Sequence, residues 1–145
     1  MSSLLKRSID ADTAMRAITA VVEKAKSMNL KVAVVVADES GHVKASLCMD
    51  GSQLLALQVA TDKAFTAVCM RAPTDALFEV FKADPPLLLG IPHIPRVRLF
   101  GGGFPIQEGG YVIGGLGVSG GHYTEDMLCA SSGLEAIGAT YRAED

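Results

Sequence analysis

The stretch from Gly101 to Gly121 constrains the fold of this chain more than any other segment. It reads GGGFPIQEGGYVIGGLGVSGG and holds most of the chain's glycines around two short apolar runs. Glycine is favoured where the backbone adopts positive φ, or where another surface approaches too closely for a Cβ atom. The stretch therefore predicts tight turns and close contacts, and it is the predicted location of a ligand or subunit surface.

A β-hairpin is predicted within this stretch. Residues 104–107 and 111–118 are rich in strand-forming side chains, and only Glu-Gly-Gly separates them. A loop this short joins antiparallel neighbours. The second strand runs into a glycine turn, and helical spacing predicts a closing helix over residues 124–139.

The remaining pattern predicts an α+β fold. Residues 32–37 are continuously apolar, as in a strand buried on both faces, whereas residues 43–49 alternate as in a half-buried strand. A further strand is predicted at residues 97–100, and four prolines argue against regular structure over residues 84–95. The order is helix, two strands, two helices, three strands, helix. It predicts one domain over residues 1–145, in which helices pack on a mainly antiparallel five-stranded sheet.

Composition excludes several functional classes. The 145 residues carry a net charge of −3, and no cluster of Lys and Arg is visible for nucleic-acid or anionic membrane binding. No apolar run approaches the roughly 18 residues of a membrane span, and the N-terminus lacks a signal-peptide core, which predicts a cytoplasmic protein. The three cysteines suggest neither a disulfide framework nor a zinc site. Surplus leucines on the predicted helices predict a homo-oligomer.

Gly115, Gly117 and Gly120 match the dinucleotide fingerprint G-x-G-x-x-G between a predicted strand and helix. That fingerprint functions within a βαβ unit, and here no strand follows the helix. Glu125 and Asp126 in the first turn would also repel a phosphate dianion. A nucleotide site is therefore not predicted.

Three segments carry a resemblance to the GlcG/HbpS-like family, which includes the C-terminal domain of PduO-type proteins. They are VVADESGHVKASLCMDG at residues 35–51, ATDKAFTAV at 60–68 and GGFPIQEGGYVIGGLGVSGGHYTED at 102–126. The resemblance implies a profilin-like or PAS-like sandwich that assembles into oligomers. It also implies a bacterial role near glycolate, glycerol or diol utilisation, with haem or a corrinoid as candidate cofactor.

The sequence departs from this family at two places. Cys48 stands before Met-Asp-Gly where the family usually has arginine, and residues 1–41 contain no histidine to match the first-helix ligand of haem-binding relatives. A metal ligand would then come from elsewhere in the chain. His122 after the glycine turn, with Tyr123 beside it, is the leading candidate, and His42 and His93 are the alternatives.

The candidate ligand-binding residues cluster around the glycine turn and the resemblance motifs. They are Asp50, Lys63, Gly117, Ser119, Gly120, Gly121, His122 and Asp126. Each has a structural alternative: Lys63 either faces a ligand carboxylate or pairs with Asp50 or Asp38, and His122 is either a ligand or an exposed residue before a helix.

Three functions remain open from the sequence. The leading hypothesis is an oligomeric cytosolic accessory protein that binds a small organic molecule, with a tetrapyrrole as candidate. The alternative is an enzyme acting on a small carboxylate or amide, with His122, Lys63 and Asp126 as acid, base and anion contacts. In the third, the glycines serve only subunit packing.

Overall fold

One antiparallel sheet lies between two helical layers in the computed structural model, which describes residues 1–139. The helices are α1 (Ala11–Ser27), α2 (Ala56–Met70), α3 (Thr74–Phe81), α4 (Pro85–Gly90) and α5 (Tyr123–Ala136). The strands are β1 (Ala33–Asp38), β2 (Val43–Cys48), β3 (Gly103–Glu108) and β4 (Tyr111–Ser119). The predicted α+β class is confirmed, while the last six residues of the predicted domain lie outside the described part.

The strand order β2-β1-β4-β3 places β1 and β4 at the centre of the sheet. Val35 of β1 pairs with Ser46 on one side and with Gly117 on the other, so β1 is the central strand that its apolar run predicted. The predicted hairpin is also present. Gly109 and Gly110 join β3 to β4 with φ of 56° and 80°, which a two-residue turn of this type requires.

The prediction of five strands is wrong, because the sheet in residues 1–139 has four. Residues 97–100 were the expected fifth strand, but backbone groups in this segment form hydrogen bonds with side chains of α2 and α3 instead of with a neighbouring strand. Arg98 N donates to the Thr66 hydroxyl, and the Thr74 hydroxyl donates to the Phe100 carbonyl. A segment satisfied in this way does not need a neighbouring strand.

The proline-rich segment is more regular than its composition predicted. Asp84 accepts a hydrogen bond from Leu87 N and caps α4, whose first two residues are Pro85 and Pro86. Proline is tolerated at the start of a helix, because its missing N–H would have no partner there. The prolines therefore begin a short helix instead of preventing one.

The two helical layers form different cores. On one face α1 and α5 pack large side chains against the sheet, including Ile18, Val34 and Leu116. On the other face α2 packs with a small cluster, in which most members are alanines. The glycine stretch runs between these two layers and positions the candidate site at the end of β4.

Candidate functional site

Glycines of β4 let α2 lie directly on the sheet. A Cβ atom at Gly117 would collide with the Ala60 carbonyl oxygen and would lie 2.7 Å from Ala64 N. A Cβ atom at Gly115 would lie 2.5 Å from the Ala64 carbonyl oxygen. The close approach that the glycines predicted is therefore made by a helix of the same chain, and a ligand at Gly117 would have to displace α2.

Lys63 and Asp126 form a buried ion pair at the carboxyl end of β4. Lys63 Nζ donates to Asp126 Oδ2 at 3.0 Å and to the Val118 carbonyl oxygen at 2.9 Å. Asp126 Oδ1 accepts from Gly121 N at 3.0 Å. The pair thus connects α2 on one face of the sheet with α5 on the other, and it fixes the glycine turn between them.

Burial dominates the electrostatics of this pair. The side chains of Lys63 and Asp126 are 0% and 2% exposed. Desolvation lowers the pKa of the Lys63 ammonium, although Asp126 opposes this shift. Burial likewise raises the pKa of Asp126 against the effect of Lys63. Because both groups are shielded, a ligand could reach Lys63 Nζ only after a rearrangement.

The sequence analysis expected that Lys63, if it had a structural role, would pair with Asp50 or Asp38, and this prediction is wrong. Lys63 pairs with Asp126, whereas Asp50 is exposed in the turn after β2 and Asp38 binds the backbone of its own β-turn. The structure thus brings together four of the candidates, which are Lys63, Gly121, His122 and Asp126. Ser119 and Gly120 lead into this group, and Asp50 lies apart from it.

His122 is the N-cap of α5 and is exposed. Its Nδ1 accepts from Thr124 N and lies 2.8 Å from the Thr124 hydroxyl. The backbone N–H of His122 donates to Glu125 Oε1 at 2.9 Å. The imidazole ring also lies 4.4 Å from the Tyr123 ring, measured between centroids. The capping role uses Nδ1 and leaves the Nε2 edge without a bond among the described residues.

An apolar cleft opens beside this cluster, and the sequence did not predict it. One hollow of about 220 Å³ adjoins another of about 380 Å³, and both are lined by Phe78, Leu99 and Phe100. Tyr123 lines the first hollow, next to His122. We call Phe78, Leu99, Phe100 and Tyr123 the aromatic cleft.

Side chains of α2 hold one wall of the aromatic cleft in place. The Thr66 hydroxyl donates to the Arg96 carbonyl and accepts from Arg98 N. Asp62 is 1% exposed and binds the Arg98 guanidinium at 2.8 Å. Asp62 and Thr66 were not among the candidates, although polar residues four apart in an alanine-rich helix were a signal that could have identified them.

Residues 1–139 contain neither a metal-binding cluster nor a membrane-spanning helix. Within them, no group of three or more His, Cys, Asp or Glu side chains is arranged to hold a metal ion. None of the helices described there combines the length and apolar character needed to cross a bilayer.

Comparisons with known proteins agree with the resemblance found in the motifs. A family model described as "Haem degrading protein HbpS-like" matches residues 9–135. Over 119 residues, 81% of this chain, the sequence is 34% identical to corrinoid adenosyltransferase PduO of Salmonella typhimurium and 33% identical to an uncharacterized 15.0 kDa protein in the dhaT-dhaS intergenic region of Citrobacter freundii. The match spans 35% of the first protein and 84% of the second, so it corresponds to only part of PduO.

Solved structures show the same fold. A structure described as a PduOC:Heme complex superposes with a TM-score of 0.87 at 31% identity, covering 94% of this chain and 99% of that chain. A crystal structure of HbpS gives a TM-score of 0.86 at 29% identity and covers 94% of each chain. One of these relatives was therefore solved with haem bound.

Proposed function

This chain belongs to the HbpS-like family, and from that premise we propose that it is a small-molecule-binding accessory protein whose ligand is a tetrapyrrole, either haem or a corrinoid. The observation that carries the proposal is the aromatic cleft beside His122, in a fold whose relative was solved with haem. Flat ligands are bound mainly by apolar and aromatic walls with a few polar groups that fix orientation.

The residues at the cleft fit such a group. Phe100 and Tyr123 present aromatic surface, and His122 offers a ring nitrogen next to Tyr123. When Nε2 binds a metal, the proton of the neutral ring lies on Nδ1, which then donates to the Thr124 hydroxyl and no longer accepts from Thr124 N. A hydrogen bond of this kind orients a ligating imidazole. Bound haem iron would supply redox and ligand-binding chemistry.

The remaining candidates act in this proposal by positioning the site. The Lys63–Asp126 pair, together with Gly121, holds the N-terminus of α5, which carries His122 and Tyr123. Gly117 lets β4 pass beneath α2, and Ser119 and Gly120 lead from the end of β4 to that point. Asp50 lies outside the cleft, and a role for it in ligand binding remains a prediction.

The proposal includes assembly into a homo-oligomer in the cytoplasm, linked to glycolate, glycerol or diol utilisation. Exposed leucines support self-association, because burying them would remove apolar surface from water. Leu54 and Leu55 before α2 are 101% and 70% exposed, and Leu89 of α4 is 71% exposed. Strand β2 is also an open edge of the sheet.

The enzyme alternative has less support from the structure. It requires Lys63 to contact a substrate, yet the ammonium is buried and already bonded to Asp126 and Val118. His122 is accessible, but its Nδ1 is used in capping α5. The geometry therefore favours a binding role over acid–base chemistry with these three groups.

Haemin titration tests the proposal. We expect a Soret band with a defined stoichiometry, an affinity at least tenfold weaker in His122→Ala, and one oligomer size on sedimentation of the loaded protein. His93→Ala is the matched control, because His93 is also exposed but lies in the 3₁₀ turn after α4. Featureless adsorption, or equal binding by both variants, would count against the His122 site.

A further inference from the structure

One carboxylate oxygen of Asp75 is buried without a hydrogen-bond partner. Asp75 lies in the first turn of α3, and among the described residues its Oδ1 is the buried side-chain oxygen that accepts no bond. Buried polar atoms in native proteins are nearly always paired, because they lose their water on burial. The helix dipole favours a negative charge at this position, but it does not supply the missing donor.

Asp75 lines the 220 Å³ hollow of the aromatic cleft. The walls of this hollow are mostly apolar and include the rings of Phe78, Phe100 and Tyr123. Glu79 contributes a second carboxylate, and none of the described residues that line the hollow is basic. The nearby Lys63 ammonium lies 4.8 Å from the Phe100 ring centroid, but Asp126 already neutralises it.

These features select the charge of a ligand. Aromatic faces attract cations, and a carboxylate oxygen accepts from a charged N–H donor more strongly than from a neutral one. Among the described residues that line the hollow, an anionic group would meet the carboxylates of Asp75 and Glu79 and no basic side chain. A small volume with apolar walls also limits the ligand to a short hydrocarbon body.

We propose that this hollow binds a small organic cation, a protonated amine whose N–H donates to Asp75 and whose hydrocarbon body lies between Phe78 and Phe100. The inference goes beyond the tetrapyrrole proposal and does not rest on it, because it concerns a ligand of a different charge in the 220 Å³ hollow of the same cleft. An amine and a tetrapyrrole would share Phe78 and Phe100 and would therefore compete.

The first test uses the wild-type protein without haemin and two probes of similar shape. n-Butylamine is protonated at pH 7, as a lysine side chain is, whereas n-butanol is neutral. We expect butylamine to bind at least tenfold more tightly in an NMR titration, with the largest amide shifts at Phe78, Phe100 and Tyr123. Equal binding of the two probes, or shifts elsewhere, would overturn the proposal.

The second test compares the same Asp→Asn substitution inside and outside the hollow. Asp75→Asn keeps the size of the side chain and removes its charge, and we expect at least a tenfold loss of butylamine affinity. Asp12→Asn is the control, because Asp12 is an exposed carboxylate in the first turn of α1 and does not line the hollow, and we expect less than a threefold change. Unchanged binding by Asp75→Asn, or an equal loss in both variants, would refute a role for Asp75. If Asp75→Asn does not fold, the butylamine and butanol comparison decides alone.

Discussion

The two faces of the sheet achieve close packing by opposite means. Leu116 and Gly117 are neighbours on β4 and therefore point to opposite faces. Leu116 is fully buried in the core formed with α1 and α5, where large side chains fill the space. Gly117 lies beneath α2, where helix backbone meets strand backbone. The first face tolerates adjustment of rotamers, whereas the second has no side chain that can move aside.

Gly117→Ala should produce the largest effect, because the added methyl group meets the backbone of Ala60 and Ala64. We expect a loss of at least about 4 kcal/mol in the free energy of unfolding, measured with urea, or no cooperative transition. Leu116→Ala on the other face should cost less, about 3 kcal/mol, because it leaves a cavity without a clash.

Gly90→Ala is the control for the substitution itself. A Cβ atom at Gly90 in α4 meets no heavy atom within 4 Å, so this variant should keep or slightly raise stability. The contrast between the two faces fails if Gly117→Ala is less costly than Leu116→Ala.

The Lys63–Asp126 pair tests whether the alanine-rich face depends on charge as well as on close approach. Lys63→Met or Asp126→Leu alone should cost about 3–5 kcal/mol, because each leaves a buried charge without its partner. The double variant should lose less than either single one. Thermal and urea unfolding of all four proteins would measure this, and additive losses would show that the two charges do not interact.

The pH dependence of the same set gives an independent check. Asp126 has a raised pKa in the folded state, so its contribution to stability should decline as the pH rises above its usual value of 3.8. Lys63 has a lowered pKa, so its contribution should recover as the pH rises towards 10.5. The stability of the wild type minus that of the double variant should therefore pass through a minimum between these windows. A flat difference would contradict the pKa directions.

Thr66→Val should destabilise the protein less than Gly117→Ala or the loss of one partner of the Lys63–Asp126 pair. It concerns the contact between α2 and the wall of the aromatic cleft. It leaves Arg98 N and the Arg96 carbonyl without their partner, at a cost of about 1–3 kcal/mol. Thr61→Val is the control, because among the described residues the Thr61 hydroxyl bonds within its own helix, to the Leu57 carbonyl. We expect faster amide hydrogen exchange at residues 96–100 in Thr66→Val but not in Thr61→Val. Equal exchange in both variants would show that Thr66 does not hold the wall of the aromatic cleft in place.

Patterns confined to a few neighbouring residues predicted their structures well. The apolar run at residues 32–37 indicated a central strand, and Gly109 with Gly110 indicated the hairpin. The prediction of a fifth strand was wrong for a reason that local sequence patterns cannot contain. The hydroxyls of Thr66 and Thr74, which are distant in sequence, bond to backbone groups of residues 96–103. His122 was identified as a candidate, but its capping bond depends on the conformation of the turn.

The sequence by itself determined where the chain turns, which strands are buried and which family it belongs to, because backbone preferences and residue periodicity act over short distances. Only the tertiary structure decided that Lys63 pairs with Asp126, 63 positions away, and not with Asp50. It also decided that α2 covers the glycines and that Asp75 and Tyr123 line one cleft. The physical reason is that the choice of partner depends on which helix packs on which face, and this is settled by burial across the whole fold.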